Sequence, residues 1–250
     1  MTKIILSGSS GQMGHTVIRA ISDRSDCKIV AGVCKNICEN NDFPSFASFD
    51  KINIDANVII DFSNPTLLDS LLNYAVCKKI PIVICTTGFS NEQIEKIKNT
   101  AKIIPIFFSG NMSIGINLLI ELAKKATAVL GNSFDIEIID KHHNKKIDAP
   151  SGTALMIANA INSADNRNFN YVFDRHCYRK PRSNSEIGIH SVRGGTIVGE
   201  HEVIFAGKNE TLTISHSAQS KEIFAVGAIN AATFLFSKPA GLYTMSDLLK

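Results

Sequence analysis

Short apolar runs alternate with amphipathic stretches through the first 110 residues. Residues 3–7 form an apolar run that ends at a glycine, and helical spacing follows from Gln12 to about Ile21. Residues 28–34, 57–62, 81–85 and 103–108 repeat the strand signature, rich in Ile, Val and Phe. Between these runs, Asn64 and Pro65 suit an N-cap and a first helical position, predicting a helix to about Lys79. Ser90 and Gln93 have the spacing of a capping box and predict a short helix to about Thr100. Residues 36–55 are polar and read as loop or short irregular structure. Continuous apolar strands alternating with helices are the mark of a parallel sheet buried on both faces.

Beyond residue 112 the pattern changes. Residues 114–130 predict a long helix with apolar positions at Ile116, Leu119, Leu122, Ala123 and Ala126. Residues 134–140 alternate like a strand with one exposed face, and a helix is expected from Gly152 to about Ile161. Residues 163–184 are polar and carry no readable period. Residues 186–193, 196–206 and 211–217 are strand-like, and the last two flank a G-K-N-E hairpin turn. Strands joined by short turns call for antiparallel or mixed pairing. The pattern therefore predicts an α/β chain. Residues 1–112 form a doubly wound domain, and 113–220 a second, α+β domain on a mixed, largely antiparallel sheet. The Ala-rich helical pattern at 221–236 is placed back on the first domain with the rest of 221–250.

Composition narrows the class. The chain has 250 residues, 44% of them hydrophobic and 20% charged, which suits a soluble protein with a real core. No apolar run reaches the length of a membrane span. Met1 leads straight into a strand, with none of the segments of a signal peptide. The six cysteines form no C-x-x-C pair. Reduced thiols, a cytoplasmic setting and no metal site are the expectations.

The stretch G-S-S-G-Q-M-G (8–14) sits between the first strand and the first helix. Glycines there let the backbone approach a pyrophosphate, and the helix N-terminus offers N–H groups and a positive dipole end. The spacing Gly8, Gly11, Gly14 is not the strict G-x-G-x-x-G, and a plain βα turn is the competing reading. With a dinucleotide, the first domain is of Rossmann type. That fingerprint expects an acid after the second strand for the ribose of NAD. Here Cys34 and Lys35 stand there, with no carboxylate before Glu39. This weakens NAD and favours NADP, whose 2′-phosphate a lysine can pair; Lys35 also reads as a surface lysine. The loops C-T-T-G-F (85–89) and S-G-N-M-S (109–113) follow strand ends and are small and polar, as a nicotinamide ribose contact needs.

The densest chemistry lies in K-H-H-N-K-K-I-D-A-P-S-G-T-A (141–154). Two histidines and three lysines precede a turn rich in backbone donors. A solvated loop, a nucleic-acid footprint and an anionic-substrate site are all compatible with it. A net charge of only +3, from 26 basic and 23 acidic residues, argues against nucleic acid.

Together these segments resemble the 4-hydroxy-tetrahydrodipicolinate (dihydrodipicolinate) reductase family. Residues 140–154 are similar to its signature H-H-x-x-K-x-D-A-P-S-G-T. Supporting matches are the glycine turn, D-F-S-x-P (61–65), T-T-G-F (86–89), S-x-N-M-S-x-G-x-N (109–117), S-V-R-G-G-x-I-V-G-E-H (191–201) and G-L-Y-x-M (241–245). The resemblance spans nearly the whole chain.

It implies a two-domain, homotetrameric enzyme of diaminopimelate and lysine biosynthesis, with no nucleic-acid or membrane partner. The enzyme would reduce a small cyclic imine dicarboxylate to tetrahydrodipicolinate with NADH or NADPH, water being lost from the hydroxylated ring. By the same resemblance His142 and Lys146 are proton-donating candidates. His143, Ser151, Gly152 and Thr153 hold a substrate carboxylate. Gly8, Ser9, Ser10, Gly11, Gln12, Met13 and Lys35 face the cofactor, with Cys85, Thr86 and Thr87 in a second loop and Ser109, Gly110, Asn111 and Met112 in a third. The second domain binds substrate and builds the oligomer. Cys34 replaces the expected acid, and Cys85 replaces a glycine where only a small side chain is needed. Arg193 is placed in a second-domain loop over the substrate. A different nicotinamide dehydrogenase, for example one acting on an amino acid, would share the first domain but has no use for the basic signature. A dinucleotide-sensing or nucleic-acid module using 141–146 as a phosphate patch would show salt-sensitive binding instead.

Overall fold

The β-branched and apolar runs of the first 110 residues form short strands, each followed by a helix or turn. A computed structural model of the chain describes residues 1–35, 42–177 and 179–249. Residues 36–41, with Cys38 and Glu39, lie outside the described residues. In chain order the elements are β1 (Thr2–Ser7), α1 (Gln12–Ser22), β2 (Cys27–Val33), β3 (Ser45–Phe46), β4 (Val58–Asp61), α2 (Leu68–Lys78), β5 (Ile82–Ile84), α3 (Asn91–Thr100) and β6 (Pro105–Phe108). Then follow α4 (Ile114–Leu130), β7 (Asp135–His142), α5 (Gly152–Ser163), β8 (Asn170–Val172), β9 (Glu186–Arg193), β10 (Gly199–Gly207), β11 (Glu210–Ala218), α6 (Glu222–Leu235), β12 (Gly241–Tyr243) and α7 (Met245–Leu248).

The contacts divide the chain into two units, Met1–Ile114 with Lys221–Lys250, and Gly115–Ser220. In the first unit seven strands form an all-parallel sheet in the order β12-β6-β5-β4-β1-β2-β3. The order reverses between β1 and β4, the switch point beyond whose carboxyl ends open α/β sheets bind ligands. Both faces are buried. Ile4, Leu6, Ile60 and Val83 pack with α1 and α6 on one side, and Ile5, Ile59, Ile82 and Ile84 with α2 and α3 on the other. Burial on both faces is why these strands read as unbroken apolar runs.

Local signals set several boundaries. The Asn64 side chain accepts from Thr66 N–H and opens a 3₁₀ turn, Pro65–Leu67, ahead of α2. Ser90 and Gln93 form the reciprocal capping box of α3. Ser90→Ala removes one half of that box and is expected to cost about 1 kcal/mol, read as a lower urea midpoint at unchanged slope. The polar 36–55 segment holds one short strand, β3, which pairs with the end of β2 through Val33 and Phe46. Two residues are too few to show a period.

The second unit has five strands in the order β11-β10-β7-β9-β8. Pairing is antiparallel through β11-β10-β7 and parallel through β7-β9-β8, so the sheet is mixed. Its parallel half requires the β7–α5–β9 crossover. Ile136, Ile138, Val203 and Phe205 meet Ile116, Leu119 and Ala123 of α4 and Ile157 and Ile161 of α5 in one core. Leu122, expected on the buried stripe of α4, is 44% exposed. It lies off the Ile116–Leu119–Ala123 line that faces the sheet. Strand β10 begins at Gly199, three residues later than expected, because 194–198 form a turn.

No helix among the described residues is long and apolar enough to cross a membrane. Cys27, Cys34, Cys77, Cys85 and Cys177 are free thiols.

Candidate active site

Strand β7 alternates strictly between half-buried and buried residues, and Asp140 and His142 fall on its buried face. Two-residue spacing puts them side by side. Across the sheet, Asp140 sits opposite His201 of β10 and Ser191 of β9, and His142 opposite Arg193 of β9. Asp140 is fully buried, and its Oδ1 lies 2.7 Å from His142 Nδ1 and 3.6 Å from His201 Nε2. Its Oδ2 accepts from Ser151 N–H at 2.8 Å, from the Arg193 guanidinium at 3.0 Å and from Ser191 Oγ at 3.4 Å. Arg193 also donates to the Asp148 carbonyl at 2.7 Å, tying β9 to the basic loop. Arg193 is thus the last residue of a strand, not a loop residue, and one guanidinium nitrogen donates to both Asp140 and Asp148.

The basic run divides. Lys141 points to the other sheet face and pairs with Glu200 and Glu202. Lys146 is half-buried and pairs with Asp148 at 2.8 Å. Asn144 and Lys145 are exposed. With two of its three lysines paired to carboxylates, the run is a poor phosphate patch. His143 is partly buried, and its carbonyl accepts from Lys146 N–H.

Ser151 is the N-cap of α5. Its Oγ accepts from Ala154 N–H at 3.1 Å and lies 3.2 Å from His201 Nε2. Its hydroxyl therefore holds the turn together. Gly152 and Thr153 open the helix, with Gly152 exposed. A helix start supplies N–H donors and a positive dipole end to a carboxylate. A Cβ on Gly199 would come 3.1 Å from His142 Nε2, so the glycine leaves that ring edge unblocked.

The electrostatics follow from this packing. Burial acts to raise the Asp140 carboxyl, but the Ser151 N–H, the Arg193 guanidinium and His142 outweigh it and hold it below the usual carboxylate range. Burial lowers His142, opposed by Asp140 and assisted by Lys146 and Arg193. Burial likewise lowers His201, to about 4, against the pull of Asp140. Both shifts favour the neutral ring. Asp140, His142 and His201 have the mutual spacing of metal ligands. Arg193, however, already sets a positive charge against the carboxylate that would anchor a cation.

In the first unit, Gly8 takes φ +81°, and a Cβ there would lie 2.4 Å from the Phe62 carbonyl oxygen. Only glycine fits that turn. Gly8 N–H donates to Val33 O and Gly11 N–H to Gly8 O, which closes the turn against β2. Gly11 caps α1 without a side-chain bond, and no acid stands in the first turn. The first-turn N–H groups are not taken by a cap, and the turn fits a dinucleotide pyrophosphate. Ser9 is buried, Ser10 and Met13 are partly buried, and Gln12 is exposed.

The second and third loops follow β5 and β6. Thr86 Oγ1 donates to Asp61 Oδ2 at 2.7 Å, Ser63 Oγ to Asp61 Oδ1 at 2.6 Å, and Cys85 N–H to Asp61 O at 2.9 Å. Burial raises the Asp61 carboxyl against these donors. Asp61 thereby binds the 61–64 and 85–87 segments together. The side chains of Cys85 and Met112 belong to the core, so only their backbones can line a loop. Thr87 and Gly110 are exposed, and Ser109 Oγ donates to Asn111 O at 3.0 Å. Cys34 is buried, and the exposed Lys35 follows it at the end of β2.

Family models match the chain from end to end: "Dihydrodipicolinate reductase, N-terminus" over residues 2–112 and "Dihydrodipicolinate reductase, C-terminus" over residues 115–249. The chain belongs to the dihydrodipicolinate reductase family. Curated relatives named 4-hydroxy-tetrahydrodipicolinate reductase agree. That of Caldanaerobacter subterraneus subsp. tengcongensis is 51% identical and that of Clostridium novyi 47%, each over 250 residues, 100% of this chain and 99% of theirs. The solved structure of a dipicolinate-bound dihydrodipicolinate reductase from Paenisporosarcina sp. TG-14 has the same fold. It has a TM-score of 0.82 at 23% identity, over 98% of this chain and 97% of that one.

The sequence assigns roles to His142, Lys146 and the 151–153 turn but none to Asp140, His201 or Asp61, although all three lie within segments that match the family. For Asp140 a signal existed, its two-residue spacing from His142 on an alternating strand. His201 and Asp61 meet their partners through strand pairing and strand-end loops that no local pattern reveals.

Proposed function

We propose that the chain reduces 4-hydroxy-tetrahydrodipicolinate to tetrahydrodipicolinate with NADH or NADPH, releasing water, in diaminopimelate and lysine biosynthesis. Family membership over the whole chain supports this. The observation that carries it is the end of β7, where a buried Asp140–His142 pair stands beside Lys146, Arg193 and the start of α5.

His143 and the 151–153 turn would hold a substrate carboxylate through charge-assisted hydrogen bonds and the helix dipole. Ser151 serves by shaping the turn. When bound at Gly8–Met13, Lys35, Cys85–Thr87 and Ser109–Met112, the reduced nicotinamide supplies a hydride. The electron-rich ring then takes up a proton, and His142 and Lys146 are the donors in reach of the same turn. A dianionic substrate beside the neutral His142 favours its protonated form, opposing the effect of burial.

The buried Cys34 and exposed Lys35 support a preference for NADPH. Lys35→Ala is expected to lower kcat/KM for NADPH about fivefold relative to NADH, the worth of about 1 kcal/mol for an exposed ion pair. An unchanged ratio would remove Lys35 from the 2′-phosphate site. A cytoplasmic homotetramer completes the reading, and light scattering tests the assembly. The experiment for the dicarboxylate site is competition: dipicolinate should inhibit reduction competitively with substrate and bind the folded, cofactor-loaded protein. Failure to bind would overturn this assignment.

A further inference from the structure

We propose that Asp140 is the positioning residue of this site, fixing the His142 ring with one carboxylate oxygen and the start of the α5 turn with the other. The proposal rests on the reductase reading above and deepens it.

Asp140 has no exposed surface, sits in the central strand of the sheet and is flanked on both sides by polar partners. Oδ2 serves the turn and β9, through Ser151 N–H at 2.8 Å and Arg193 at 3.0 Å. Oδ1 faces the histidines at ion-pair distance, 2.7 Å from His142 Nδ1 and 3.6 Å from His201 Nε2, without hydrogen-bond alignment to His142. An ionised carboxylate only accepts hydrogen bonds, so each group around it must donate. The 2.7 Å approach of Oδ1 to Nδ1 favours the His142 tautomer with its proton on Nδ1, which leaves Nε2 for the reacting substrate. The arrangement follows the logic by which a buried carboxylate orients an imidazole and stabilises its cation.

The charged and titratable groups around His142 are Asp140 on β7, Arg193 on β9, His201 on β10 with His216 behind it on β11, and Lys146 in the loop. Among these, Asp140 alone is negative. It is therefore the group that favours the imidazolium of His142 against burial.

Asp140→Asn separates the two roles. The amide has one oxygen, and Ser151 N–H and Arg193 both demand it. Its NH₂ then faces His142 Nδ1, which must become an acceptor and move its proton to Nε2. The turn survives while the proton donor is disabled. The expected result is a fall in kcat of about 10²–10⁴-fold, with substrate KM and cofactor Kd within about threefold of wild type. The limb of the kcat–pH profile assigned to His142 should move to lower pH, since the imidazolium has lost its counter-charge. A merely structural Asp140 would lower the melting temperature and leave that limb in place.

Folded Asp140→Asn with kcat within about threefold of wild type and an unmoved profile overturns the proposal. If the variant does not fold, ¹⁵N NMR of the wild-type histidines decides. An Nδ1–H tautomer at His142 with a downfield, hydrogen-bonded proton supports the proposal, and an Nε2–H tautomer defeats it. Wild type is assayed first in the same system. Absence of turnover there would count against the reductase reading, while the NMR result still judges Asp140.

Discussion

Replacing His142 by Gln should lower kcat by about 10²–10⁴-fold, the usual contribution of a positioned proton donor, with substrate affinity nearly kept. Gln can fill much of the same volume and still donate a hydrogen bond, but it cannot deliver a proton. His142 is nearly buried at the end of β7, so its loss removes little binding surface. Binding belongs mainly to His143 and the 151–153 turn. An interaction used only in the transition state lowers kcat and kcat/KM together. The check is steady-state kinetics beside calorimetric binding of dipicolinate. In the free protein His142 is held below its ordinary value by burial. The free-enzyme limb in kcat/KM should therefore lie at lower pH than the corresponding limb in kcat, where the substrate's charge raises the ring. Near-wild-type turnover in His142→Gln would leave Lys146 as the donor.

The second large effect is expected at Gly8. Gly8→Val meets two obstacles at once. Its φ of +81° is strained for any side chain, and the first added carbon would lie 2.4 Å from the Phe62 carbonyl oxygen. A β-branched residue in that conformation is a true outlier, and strain of this kind costs about 1–3 kcal/mol before any clash. The turn must move, and with it the first-turn N–H groups of α1. Cofactor affinity should fall by more than about tenfold, the equivalent of about 1.4 kcal/mol, with a lower melting temperature. Fluorescence titration with NADPH reads the first and calorimetry the second. Unchanged cofactor affinity in folded Gly8→Val would detach the glycine turn from dinucleotide binding.

What could be read from sequence followed a physical divide. Signals carried by neighbours in the chain were plain: the strand-like run before Gly8, the Ser90–Gln93 capping box, the alternation from Asp135 to His142 that put one face of β7 inward. The basic signature pointed to His142, Lys146 and the α5 start because those groups are sequential. Long-range pairing was not readable. Nothing local says that His201 will lie opposite Asp140, that Arg193 will close on Asp148, or that Thr86 and Ser63 will share the Asp61 carboxylate. Composition also misdirected in places. Three lysines in six residues suggest one cationic patch, yet the strand period sends Lys141 to the far face, onto Glu200 and Glu202. Leu122 fits a helical apolar stripe on spacing but faces outward, because the sheet contacts a narrower line of α4.

The central claim, that this member of the family carries out the reduction, is tested most directly by turnover. Pyruvate and aspartate semialdehyde would be joined by the preceding synthase to make the substrate in place, and loss of reduced-cofactor absorbance followed with NADH and NADPH separately. Turnover should depend on both precursors, with the higher kcat/KM for NADPH. Folded protein that binds the cofactor but consumes neither nucleotide would contradict it.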